Sequence, residues 1–108
     1  MRPLKAMISS VTRLSKQCAA ITFDRTRKTR STPAKHRLAQ INLPLISVLN
    51  RLKWRLVIQD HAEFEKHVRL ALVEFHREIQ LMVQAMPSGM RSNPLLMLLD
   101  SSAKAIQF

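Results

Sequence analysis

Cationic side chains are the groups in this sequence whose number and spacing most clearly indicate a chemical role. The 108 residues include 18 Lys and Arg against 7 Asp and Glu, a net charge of +11 at pH 7. The excess lies in residues 1–57, where thirteen cations accompany one acid, Asp24, whereas residues 58–108 are nearly balanced. One strongly cationic half favours an anionic partner: nucleic acid, an acidic membrane surface or an acidic protein.

A run of cations between residues 25 and 37 predicts an extended phosphate-binding arm, and a second group surrounds Trp54. Each neutralised phosphate releases a counterion whatever the base sequence, and an exposed indole ring can stack on an unpaired base. The sequence therefore predicts that RNA or another polyanion is bound by Arg25, Arg27, Lys28, Arg30, Lys35, Arg37, Arg51, Trp54 and Arg55. A solvated tail beside an ordinary exposed Trp is the alternative, since no RNA-recognition octapeptide, KH loop or zinc knuckle occurs.

Enzymatic and metal chemistry find little support in the sequence. Three histidines, His61, His67 and His76, accompany four glutamates, but neither Glu-x-x-His nor His-Glu-x-x-His occurs. The single cysteine, Cys18, falls on an apolar stripe, where Cys is usually a small hydrophobe. One glycine in the whole chain excludes a phosphate-cradling loop. We therefore predict a non-enzymatic protein with no catalytic residue, metal ligand or cofactor.

Residues 2–21 predict a basic amphipathic helix, because apolar residues recur at steps of three and four. Its cations lie mostly off that stripe, and no acid precedes Asp24. Such a segment over residues 1–22 is typical of a mitochondrial transit peptide, which implies the mitochondrial matrix in a eukaryote and the cytoplasm otherwise. The alternatives are a helix that contacts a partner, a membrane surface or the protein's own surface. Residues 23–40 read as a flexible basic linker that Pro33 interrupts.

Residues 41–108 predict a small helical domain and, with the N-terminal helix, an all-α fold. A helical hairpin is expected at about 43–58 and 60–86, with Asn42 as the first N-cap and Pro44 in the first turn. The second helix has a three-heptad apolar seam, pairs Glu65 with Arg69, and leaves His76 off the seam. Gly89 is expected to adopt a left-handed turn after it. A short third helix is predicted from Pro94, with Asn93 as its cap.

The apolar seam of the second helix is too long for a first helix of about 15 residues to cover. The segment 95–99 is also entirely apolar, more than one helical stripe requires. A folded-back third helix would complete a core, but the excess favours a surface that a protein partner or a second copy buries. The predicted interface residues are Phe64, Val68, Phe75, Met82, Leu95, Leu96 and Leu99.

Residues 42–75 carry a family resemblance. The segment from Asn42 to Lys53 (NLPLISVLNRLK), followed by DHAEFEKHVRLALVEF from Asp60 to Phe75, resembles the start of the cytoplasmic domain of the DotU/TssL family of type VI secretion systems. The family's next motif, Tyr-x-Leu-Cys, has no counterpart in this chain. The most similar segment is 98–101 (LLDS), which contains neither Tyr nor Cys. The resemblance implies an all-α scaffold relative without enzymatic activity.

Two functions follow as expectations. The favoured one is a small subunit or assembly factor that binds a polyanion through its N-terminal half and a protein through its helical half. The other is a purely protein-binding adaptor or scaffold subunit, secretion-apparatus-like or organellar, whose N-terminus is only a targeting signal.

Overall fold

A computed structural model describes residues 3–22, 33–53 and 61–108, which form four α-helices and one short 3₁₀ turn, with no strand among these residues. The helices are α1 (Leu4–Thr22), α2 (Pro33–Lys53), α3 (His61–Ala85) and α4 (Asn93–Ala105), and the 3₁₀ turn spans Ser88–Met90. The all-α prediction is confirmed. The four helices share one hydrophobic core, and each helix contributes buried side chains to it.

Helix α1 is an integral part of this core. Its apolar stripe of Met7, Val11, Leu14 and Cys18 is completely buried, and the helix packs against α2, α3 and α4. Thr12 donates its hydroxyl to the carbonyl of Ile8 at 3.0 Å, so this polar side chain is satisfied within the helix. The favoured expectation that a partner buries the seam of α3 is therefore wrong, because α1, α2 and α4 of the same chain cover it, and the alternative of a folded-back third helix is correct.

Helix α2 begins at Pro33, ten residues before the predicted start at Leu43. Residues 33–40, expected as linker, are helical, and Pro33 opens the helix because a proline needs no N–H partner in a first turn. Asn42, predicted as an N-cap, is instead buried within the helix. Pro44 lies in the helix interior, where it is exposed together with Gln40. Water can thus reach the Gln40 carbonyl that Pro44 deprives of its helical N–H partner.

Helix α3 has nearly the predicted bounds. Its seam residues Phe64, Val68, Leu72, Phe75, Ile79 and Met82 are all buried. The predicted pair of Glu65 and Arg69 forms at 3.7 Å. The period of the seam alone was sufficient to place this helix and its buried face.

The connection from α3 to α4 differs from the prediction in two details. Gly89 lies in the 3₁₀ turn without a left-handed backbone, and the space around its Cα is open. The side chain of Arg91 instead caps α3, since its Nε donates to the carbonyls of Val83 at 3.0 Å and Met86 at 3.2 Å. Ser92, not Asn93, caps α4, and its Oγ accepts the N–H of Leu95 at 3.4 Å.

Helix α4 folds back onto α3 and α1. Leu95, Leu98, Ser102 and Ala105 form its buried face. The Ser102 hydroxyl lies within hydrogen-bond distance of two groups: its Oγ is 2.8 Å from the Leu99 carbonyl oxygen and 2.8 Å from Nδ1 of His76. His76, off the apolar seam as predicted, is half-buried and links α3 to α4.

Candidate polyanion-binding face

The side of α1 that faces away from the core is cationic. Lys5, Arg13 and Lys16 are exposed on it, together with Ser9, and we call these four residues the α1 basic face. The face arises because the buried stripe fixes the rotation of the helix, which leaves the opposite side to solvent. Eleven residues separate Lys5 from Lys16, a rise of about 16 Å along a helix.

No acid opposes these charges within α1, which contains neither Asp nor Glu. Lys5, Arg13 and Lys16 form no ion pair with any residue that the structure describes. Three neighbouring cations without counterions repel one another and attract an anion from solution. The α1 basic face can therefore bind phosphates by charge alone.

Helix α2 runs antiparallel to α1 and contributes to the same end of the molecule. The thiol of Cys18 contacts the Leu38 carbonyl at 3.3 Å, and Nδ2 of Asn42 donates to the Ser15 carbonyl at 3.4 Å. These two contacts fix the register, which brings Lys5 level with Arg51 further along the pair. Arg51 is exposed and forms no ion pair with a described residue. Like α1, α2 contains no acid.

The other predicted cations of α2 differ from Arg51. Arg37 pairs with Glu78 of α3 at 3.6 Å, so part of its charge is neutralised within the chain. Lys35 is half-buried and lines a cavity of about 320 Å³ with Gln17, Pro94 and Met97. Of the three predicted α2 cations, Arg51 is thus the most accessible to a large anion.

The remaining predicted nucleic-acid residues lie outside the part of the chain that the structure describes. These are Arg25, Arg27, Lys28, Arg30, Trp54 and Arg55. The prediction of a phosphate-binding arm and a stacking indole remains a prediction for all six.

Lys5, Arg13 and Lys16 are not among the predicted site residues. The signal was present, since all three fall off the apolar stripe of an acid-free segment. The sequence alone does not show whether α1 is a targeting segment, a partner-binding helix or a helix on the protein's own surface, so it does not show that this side is a fixed surface. Once α1 packs into the core, its opposite face becomes a fixed surface of the folded protein.

Most residues of the predicted partner interface lie in the core of the chain itself. Phe64, Val68, Phe75, Met82 and Leu95 are buried, and Leu99 packs against the core as a half-buried residue. Leu96 alone is exposed, at 40%. The periodicity of the α3 seam correctly selected Phe64, Val68, Phe75 and Met82 as buried residues, but the burial is provided by helices of the same chain.

Cys18 does not have the environment of a reactive thiol. Burial raises the pKa of this thiol from its ordinary value of 9.0 to about 11, which keeps it protonated at neutral pH. Among the described residues, no three His, Cys, Asp or Glu side chains are grouped so that they could hold a metal ion.

Comparisons with protein-family models, with curated proteins and with solved structures give no match for this chain. The resemblance of residues 42–75 to the DotU/TssL family thus stays a prediction. None of the described helices has the length and the apolar character needed to cross a membrane.

Proposed function

We propose that this protein is a non-enzymatic helical subunit or assembly factor that binds a polyanion, with RNA as the expected ligand. The α1 basic face is the primary contact, and the cations of residues 25–30 provide further phosphate contacts. One observation carries the proposal: Lys5, Arg13 and Lys16 are exposed on an acid-free helix whose other side is locked into the core. Cations held in place by a rigid element lose less entropy when they bind phosphate than cations on a solvated tail.

The alternative, an adaptor whose N-terminus is only a targeting signal, has less support. Removal of residues 1–22 would expose the side of α3 and α4 that α1 covers, and would delete four completely buried apolar side chains. A cleavable segment has no need of such contacts. N-terminal sequencing of the protein from its native source distinguishes the two, since the adaptor requires a mature chain that lacks α1.

Salt dependence of RNA binding tests the proposal directly. The double variant Lys5→Ala/Lys16→Ala should reduce the slope of log K against log salt by about 1.4 for a single-stranded RNA, since each lost phosphate contact removes about 0.7. The matched control is Lys66→Ala/Lys104→Ala, which removes the same residue type and the same charge from α3 and α4. We expect this control to leave the slope nearly unchanged.

The arm is tested in the same assay. Replacement of Arg25, Arg27, Lys28 and Arg30 by Ala should lower the slope further, by about 0.7 for each contact, and by similar amounts for RNAs of different sequence. Absence of salt-dependent binding in the unmodified protein would contradict the proposal. If the α1 double variant and its control gave equal slopes, the α1 basic face would not be part of the proposed binding site.

A further inference from the structure

The outward side of α3 carries large apolar residues that neither the core nor the α1 basic face explains. Leu70 is 58% exposed, Val73 41% and Leu81 47%. Leu70 and Leu81 are eleven residues apart, close to three full helical turns, so they lie on one line along the helix. Exposed aliphatic residues aligned on one helix face indicate a protein interface.

Two oppositely charged residues lie between these leucines. Arg77 contacts Glu74 at 3.0 Å, and both side chains are well exposed, at 61% and 45%. The spacing along the helix is symmetric: Leu70, then Glu74 four residues later, Arg77 three residues later, and Leu81 four residues later. Reversal of the chain direction exchanges leucine with leucine and glutamate with arginine.

This pattern fits one occupant, a second copy of the same helix in antiparallel orientation. A two-fold axis at the level midway between residues 75 and 76 places Leu70 opposite the Leu81 of the other copy. The same operation places each Glu74 level with the other copy's Arg77. Such an interface is isologous, because one patch complements itself. One symmetry operation therefore places the leucines in contact with each other and pairs each glutamate with an arginine.

We propose that the protein forms a two-fold symmetric dimer through the outward face of α3, with Leu70 and Leu81 as apolar contacts and Glu74 and Arg77 as reciprocal ion pairs. The dimer leaves the α1 basic face accessible, because α1 packs on the opposite, buried side of α3. It does not depend on the proposed polyanion binding.

Complementary charge variants test this interface. The Glu74→Arg variant places two arginines in each copy, and the Arg77→Glu variant places two glutamates, so each variant alone faces like charges across the axis. Like charges in an interface are strongly unfavourable, and we expect the dimer dissociation constant of each variant to rise at least about tenfold. Mixed in equal amounts, the two variants restore both ion pairs, and sedimentation should show a heterodimer.

Substitution of the leucines provides a second test, and Leu43 provides the matched control. Leu70→Glu or Leu81→Glu should make the protein monomeric across the micromolar range, whereas Leu43→Glu, at an equally exposed leucine on α2, should not. Circular dichroism verifies that each variant is folded. A monomeric unmodified protein, a mixture no more associated than its components, or an equal effect of Leu43→Glu would each overturn the proposal.

Discussion

Helices α1 and α2 differ from helices α3 and α4 in how many of their cationic side chains form ion pairs. The first pair contains no acid, and Lys5, Arg13, Lys16 and Arg51 remain without an ion pair to a described residue. In the second pair most cations are engaged locally: Arg69 with Glu65, Arg77 with Glu74, and Lys104 with Asp100. The side chain of Arg91 caps α3. Lys66 is exposed and is the cation of this pair for which no ion pair with a described residue is found.

This difference separates charges that are paired within the chain from charges that are not paired with any described residue. Unpaired like charges on α1 contribute repulsion and no contact, so folding does not account for their presence. A surface with that property is available to an external anion. The two halves are nevertheless joined by one core, and this gives the contrast measurable consequences.

The largest expected effect concerns the core that the two halves share. Leu14 of α1 and Leu72 of α3 are both completely buried, so each Leu→Ala substitution should lower the free energy of unfolding by about 2–5 kcal/mol. Leu43→Ala, at 59% exposure, should change it by less than about 0.5 kcal/mol. Urea unfolding measures all three. A silent Leu14→Ala would mean that α1 is peripheral and that its basic face has no fixed position.

The contact between α1 and α2 should be sensitive to alkaline pH. The thiol of Cys18 has a pKa of about 11 in the folded chain against an ordinary value of 9.0, so the folded state retains a proton that the unfolded state loses. Stability should therefore be unaffected by this group below pH 9 and should fall between pH 9 and pH 11, by up to about 3 kcal/mol. Denaturant unfolding of Cys18→Ala over the same range provides the reference. Equal pH slopes would show that the thiol is not buried against Leu38.

Two arginines allow the two kinds of charge to be compared directly. Arg91→Ala should lower the free energy of unfolding by about 1–2 kcal/mol, because two carbonyls at the end of α3 lose a charged donor. Arg13→Ala on α1 should change stability by less than about 0.5 kcal/mol but should weaken RNA binding. Thermal unfolding and a binding titration on both variants complete the comparison. If Arg13→Ala destabilises the fold as much as Arg91→Ala, its charge is structural.

The smallest expected effect lies between α3 and α4. Gly89 has no left-handed backbone and open space around it, so Gly89→Ala should raise the free energy of unfolding by about 0.4–1 kcal/mol by restricting the unfolded chain. The midpoint of urea unfolding detects such a change. A decrease in stability would indicate that the turn requires a conformation that only glycine adopts readily.

The sequence predicted helix α3 and its buried face, because a seam that repeats every three or four residues over six turns has no competing interpretation. It misplaced the start of α2 because local and tertiary signals disagree there. Asn42 and Pro44 are typical of a helix start, whereas Leu38, Ile41 and Leu45 continue the buried stripe across them. Tertiary packing determines the helix start, and α2 continues through Pro44 because this proline lies on the exposed side of the helix.

The candidate site was predictable in chemistry but only partly in position. Charge composition indicated an anionic partner, and this requires no knowledge of the fold. The identity of the exposed cations depends on which side of α1 is buried, and that side is set by packing against α2, α3 and α4, the last two of which lie far along the chain. Arg37 illustrates the limit, since its partner Glu78 is 41 residues away and no local pattern pairs them.

The docking of α1 against α4 also sets an order of events during synthesis. At roughly 5–20 residues per second, the ribosome needs about 4–17 s to proceed from Thr22 to Ala105. Until α4 is synthesised, the apolar surface of α1 that α4 later covers is exposed on the nascent chain, and chaperones bind exposed apolar surface of this kind. After α4 docks, only the cationic side of α1 remains exposed to solvent. The same helix thus exposes an apolar surface in the nascent chain and a cationic surface in the folded protein.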